Sequence, residues 1–168
     1  MADEEAAPGA VLEGRFEGRR QFQQIVREAL VLAASEGWQE IIFCDPSFED
    51  WPLGERSVAE SLQAWSKAGR KFTLLAMRYD EVLRRHHRFV SWRRTWAHII
   101  DCRACAAADA SEFPSMIWSP GWVMDRRDPV RSVGVTGREP ERRIAQNERL
   151  AEWLTKSSPA FAASTLGL

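Results

Sequence analysis

The side chains best suited to chemistry lie between residues 44 and 105. Cys102-Arg103-Ala104-Cys105 has the C-x-x-C spacing of redox and zinc sites. Both chemistries need the two sulfurs on one side. The apolar run Ile99 to Cys105 predicts a strand, in which residues three apart face opposite sides. The chain holds no second C-x-x-C, and a four-ligand set with His98 and Cys44 exists on paper only. The pair therefore reads as two small buried hydrophobes, with no metal and no cofactor expected.

His86 and His87 are adjacent, so on a helix they point about 100° apart and make poor co-ligands. Neither has a partner in the sequence for general-base work, and no catalytic residue is assigned. Residues 78–103 hold Arg78, Arg84, Arg85, Arg88, Arg93, Arg94 and Arg103 and all three histidines, against Asp80, Glu81 and Asp101. Phe89, Trp92 and Trp96 are interleaved with them. Basic residues among aromatics bind phosphates and stack bases, which makes Arg84, Arg88, Arg93 and Arg94 the nucleic-acid candidates on an arginine-rich helix 80–98. A charged outer face paired with neighbouring acids is the simpler reading. The whole chain has 23 basic and 24 acidic residues, net charge −1, and so no long-range attraction to polyanions. Nucleic acid and membrane are not the expected partners.

These residues need a scaffold. Phe22, Ile25, Val26, Ala29, Leu30 and Ala33 recur at helical spacing, and Gly37 follows as a C-terminal cap. Ile41 to Cys44 and Phe72 to Met77 read as buried strands. Ser57 and Glu60 form a capping box for a helix carrying Val58, Leu62 and Trp65. Asp80 and Glu81 open a long helix with a stripe of Val82 or Leu83, Phe89, Val90, Trp96 and Ala97. Ser115 to Trp118, Trp122 to Met124 and Val130 to Thr136 read as short strands. Pro140 starts the last helix. The order α-β-α-β-α-β-β-β-α predicts a mixed open sheet with helices on both faces: parallel strands first, then an antiparallel meander.

In such sheets ligands bind beyond the carboxyl ends of the parallel strands. Those ends are Asp45 and Arg78-Tyr79, which with His87 form the candidate site for a small phosphorylated ligand. The competing reading, which is preferred, has Asp45 capping its own turn and Arg78 in a structural ion pair.

The element order resembles one half of the phospholipase D-like fold, as in short bacterial proteins of unknown function. Phe43-Cys44-Asp45, Phe72 to Tyr79, His87 to Trp92, Pro159-Ala160-Phe161 and the ending Thr165-Leu166-Gly167-Leu168 carry the likeness. The catalytic members have His-x-Lys-x-x-x-x-Asp. At Trp118 to Asp125 only Asp125 matches, since Trp118 and Pro120 replace the His and the Lys. The resemblance thus implies architecture without that phosphoenzyme chemistry.

The domain plan is a disordered lead over 1–14, one α/β domain over 15–158 and a docking tail over 159–168. The tail has no charge. Phe161, Leu166 and Leu168 are its expected anchors, across a homodimer interface or into a groove on the same chain. Eight tryptophans imply either an aromatic core or a covered apolar surface, and they favour the dimer. Three cysteines and an acidic, non-apolar start imply reduced thiols in a cytoplasm. The function expected is that of a non-catalytic binding or assembly module. The alternatives are a small enzyme on a phosphorylated substrate and a nucleic-acid binder.

Overall fold

The computed structural model describes residues 12–163. One eight-stranded sheet runs in the order β1-β7-β6-β5-β2-β3-β4-β8. The parallel part is β2 (Glu40–Cys44), β3 (Lys71–Ala76) and β4 (Ile100–Ala104). The antiparallel part is β5 (Met116–Trp118), β6 (Val123–Asp128) and β7 (Val133–Gly137), with β1 (Gly14–Glu17) on its edge. The sheet is therefore mixed and open, as the strand spacing predicts.

Strand alternation divides the core between the two faces. Ile41 and Phe43 of β2 join one cluster, and Ile42 and Cys44 join the other. Four helices cover the first face. They are α1 (Arg19–Glu36), α2 (Arg56–Trp65) and the pair α3 (Asp80–Arg85) and α4 (His87–Thr95). The second face is covered by α5 (Pro140–Lys156) through Leu150, Trp153 and Leu154. Gly37 ends α1 in the left-handed conformation, its N–H donating to the Ala33 carbonyl. Pro140 opens α5. Among the described residues no helix is long and apolar enough to cross a membrane.

Several local expectations are corrected. Ser57 and Glu60 form no capping box, because α2 starts two residues early and has Glu55 at its N-cap without a side-chain cap bond. Glu55 is instead held by Arg27 of α1 at 2.7 Å. The long helix from Asp80 breaks at His86, whose φ and ψ are −117° and 59°. Its buried ring faces the loop after β2, and Nε2 donates to the Phe48 carbonyl at 2.8 Å. The lead is shorter than residues 1–14: Leu12 is buried and β1 begins at Gly14. Residues 1–11 lie outside the described residues.

The tail docks on its own chain. Strand β8 (Ser158–Pro159) pairs with β4, Ala160 N–H donates to the Cys102 carbonyl, and the Phe161 ring lies 5.1 Å from Tyr79. Leu166 and Leu168 lie outside the described residues. Trp38, Trp51, Trp65, Trp92, Trp118 and Trp122 are all buried. The tryptophan excess therefore fills this core and lends no weight to a dimer.

Candidate functional site

Strand direction brings three distant segments to one end of the sheet. Because β5 runs antiparallel beside β2, and β6 antiparallel beside β5, Cys44 pairs with Met116 and Met116 with Asp125. Asp45, Ser115 and Arg126 thus meet just past the end of β2. The β6–β7 ladder is irregular between Asp125 and Asp128, a bulge that turns consecutive side chains out of strict alternation. Asp125 and Arg126 are both buried because helices cover both faces, Asp125 facing Arg149 of α5 and Arg126 facing Phe22 of α1, while Arg127 is exposed. Gly134 faces this bulge. A Cβ there would lie 2.8 Å from Arg126 Cα and from Phe16 Cζ, closer than packing allows.

Arg126 is the hub. Its Nη2 donates to Asp45 Oδ1 at 3.0 Å and to Asp50 Oδ1 at 3.1 Å, and its Nη1 donates to Asp50 Oδ2 at 2.8 Å. Ser132 and Ser115 accept the remaining bonds, at 3.2 Å to Nη1 and 3.0 Å to Nε. The guanidinium carbon lies 3.9 Å over the Phe22 ring of α1. Every donor nitrogen of the group is engaged, so it pins the sheet end to the 45–50 loop and has no free fork for a substrate. The second carboxylate oxygen of Asp45 accepts from the N–H groups of Ser47 and Phe48, at 3.1 and 2.8 Å. Asp45 caps its own turn, in keeping with the preferred sequence reading.

A polar depression of about 410 Å³ opens over this cluster. Arg19, Arg85 and Arg126 on its walls are balanced by Asp45, Glu49 and Asp50. Of the four sequence candidates only Asp45 lines it. Arg78 is exposed and, among the described residues, makes no ion pair; its N–H and that of Met77 donate to the Pro46 carbonyl. Tyr79 is turned inward, its hydroxyl 2.8 Å from the Arg103 carbonyl and 3.1 Å from that of Leu74. Burial pushes the Tyr79 phenol far above its usual range. His87 is exposed on α4. No acid–base pair or nucleophile emerges from these four residues.

The thiols are inert by position. Cys102 packs in one face's core and Cys105 in the other's, so the C-x-x-C sulfurs point apart. Burial raises all three thiols, Cys102 to about 12. Among the described residues no group of three or more His, Cys, Asp or Glu side chains can hold a metal.

The arginine-rich segment is sorted by the break at His86. Outward from α4 stand His87, Arg88, Ser91, Arg94 and Thr95, with Arg84 on α3 before them. Arg84 pairs with Glu81, and Arg88 donates to the Gly54 carbonyl at 2.8 Å. Among the described residues neither Arg88 nor Arg94 has a carboxylate partner. Arg93 is a correction: it is buried under the tail, Nε donating to the Phe161 carbonyl at 3.1 Å, with its guanidinium over the Phe161 ring. Sequence reasoning missed Arg126, whose only local signal was a charge pair in an assumed connection.

His86 supplies a pH test of the packing. Burial lowers its pKa below the ordinary 6.5, against the opposing effect of the Phe48 carbonyl; Arg85 and His87 also lower it, and Glu81 raises it. The unfolded chain then binds a proton that the folded chain refuses. Stability is level above about pH 6.5 and falls as pH drops from there towards the folded pKa. Urea midpoints measured from pH 8 to pH 5 are expected to fall across that window. In His86→Gln the fall should be smaller, and an equal fall in both proteins would disprove the assignment.

No family model matches the chain, and no curated protein does. Among solved structures it is similar to TrmBL2, described as an archaeal chromatin protein with a novel mode of DNA binding. The TM-score is 0.64 at 16% identity, over 94% of this chain and 56% of that one. The chain thus spans little more than half the length of that protein. At this identity the likeness is one of fold, and it says nothing of a phospholipase D-like half-domain.

Proposed function

We propose that this chain is a nucleic-acid-binding domain that takes the phosphate backbone on the outer face of α4, with Arg84 of α3 alongside. The observation that carries this reading is the pair Arg88 and Arg94, exposed on one face around Ser91 and without a carboxylate partner among the described residues. Residues three apart on a helix share a face, so Arg88, Ser91 and Arg94 line one strip with His87 and Thr95 at its edge. The fold likeness to a chromatin protein supports the same class of partner. The reading takes up the nucleic-acid alternative in place of the binding or assembly module expected first from the sequence, and reverses the expectation from net charge that nucleic acid is not a partner.

Binding of this kind is backbone-directed and salt-dependent. Three phosphate contacts give a slope of log K against log salt of about −3, at roughly −0.9 per contact. With a net charge of −1 the affinity is modest and independent of sequence. Fluorescence anisotropy with a labelled duplex, titrated from about 50 to 200 mM salt, reads both quantities. Arg88→Gln with Arg94→Gln should weaken binding by more than tenfold and reduce the slope by about 2. A slope unchanged by the double substitution, or no binding at the lowest salt, would refute the proposal.

A further inference from the structure

Beside the Arg126 cluster lies a second, larger cleft of about 620 Å³, within the size range of small-molecule sites. It is bounded by the loop before β5, the β6 bulge and the exposed side of α5. We infer that it binds a compact organic anion: a carboxylate or phosphate monoester carried on an apolar body.

The charge arrangement gives the sign. Asp125 at the cleft is buried and faces two cations. Arg127 Nε is 3.3 Å from one of its oxygens, and Arg149 Nη1 is 4.0 Å from the other. At Asp125 two guanidinium groups face one carboxylate; Arg126, also on the cleft wall, is taken up by Asp45 and Asp50. Both arginines are substantially exposed, with side-chain exposures of 61% and 42%. Among the described residues Arg127 makes no other hydrogen bond, and Arg149 makes only a 3.4 Å contact to Gln146. Asp125 therefore holds two planar donor forks at the cleft while leaving outer N–H groups of each free. Such forks match the two oxygens of a carboxylate or phosphate.

The walls give the body. Phe113, Pro114, Pro129 and Val130 line it, Phe113 being otherwise buried. Val130 is 94% exposed at the tip of its turn, the most exposed large hydrophobic side chain of the described residues. An apolar ligand body seated against it would take that side chain out of water. This site is separate from α4 and goes beyond the nucleic-acid reading.

The test is calorimetric titration of the full chain at low salt with phenyl phosphate, benzoate, benzyl alcohol and inorganic phosphate. At least one aromatic anion should bind about tenfold or more tightly than benzyl alcohol and inorganic phosphate, and the tighter of the two anions identifies the headgroup. Arg127→Gln and Arg149→Gln should each weaken that binding by about tenfold, the loss of one charge-assisted contact. Each single variant leaves the buried Asp125 one of its two cations, and the melting temperature of each is read alongside to show that the fold is kept. Arg94→Gln should leave the binding unchanged, which separates this site from the α4 face. Equal binding of benzyl alcohol, or binding that survives the double arginine substitution, would overturn the inference.

Discussion

Replacing Arg126 by alanine is expected to lower the unfolding free energy by about 3–5 kcal/mol, the cost of breaking a buried ion pair by removing one partner. Its side chain is 2% exposed, and that of Asp45 is 5%. Removing the cation leaves the buried Asp45, and on its other side the partly exposed Asp50, without their partner. The loss is a large part of the 5–15 kcal/mol that holds a domain of this kind together. A melting temperature lower by on the order of 10 °C would report it. Arg126→Met separates charge from volume. It fills much of the space and still strands both carboxylates, so it should fall close to Arg126→Ala. Arg126→Lys keeps the charge and loses the two-pronged contact to Asp50, and should lie between wild type and alanine. Urea is the appropriate denaturant, since guanidinium salts would screen the pair. If Arg126→Met stays within about 1 kcal/mol of wild type, the cluster is not the pin proposed here.

The same cluster marks where sequence reading stopped. Elements set by local signals were legible: the α1 stripe ending at Gly37, the buried runs that became β2 and β3, and Pro140 opening α5. Periodicity and caps depend on neighbours a few residues away, and at these positions the expectations hold; the Ser57–Glu60 capping box fails, because Glu55 stands at the N-cap and is held by Arg27 of α1. Arg126 meets Asp50 and Asp45 across 76 and 81 residues, and no short-range pattern announces such a pairing. The break at His86 has the same origin. The helical stripe continues through it, and only the Phe48 carbonyl, 38 residues away, explains why the backbone turns. Strand β1 escaped because its four residues, Gly14 to Glu17, bury only Phe16. Among the nucleic-acid candidates, composition grouped Arg93 with Arg88 and Arg94. Helical geometry places Arg93 on the inner side, where the tail covers it.

Trp122→Ala is expected to cost about 3–5 kcal/mol, the range for deleting a large aromatic from a packed core. Trp122 is fully buried and stacks on Trp38 with ring centroids 5.8 Å apart. It sits in the β5–β6 connection, where the Ser119 hydroxyl accepts from its N–H. Its indole N–H donates to the Leu12 carbonyl at 2.9 Å, across 110 residues of chain. The side chain therefore does two things, filling the core under Trp38 and fastening the segment that leads into β1. Strand β1 is an edge strand paired with β7 alone. It depends on that fastening more than an inner strand would. Trp122→Phe divides the two roles. It keeps most of the ring and removes the hydrogen bond, so about 1 kcal/mol of loss is expected, for a neutral bond whose acceptor is left buried. Amide exchange should then quicken at Gly14–Glu17 in both variants, with global stability falling sharply only in the alanine variant. Unchanged exchange at β1 in Trp122→Phe would mean that Leu12 is held by its own burial and that the indole bond adds nothing.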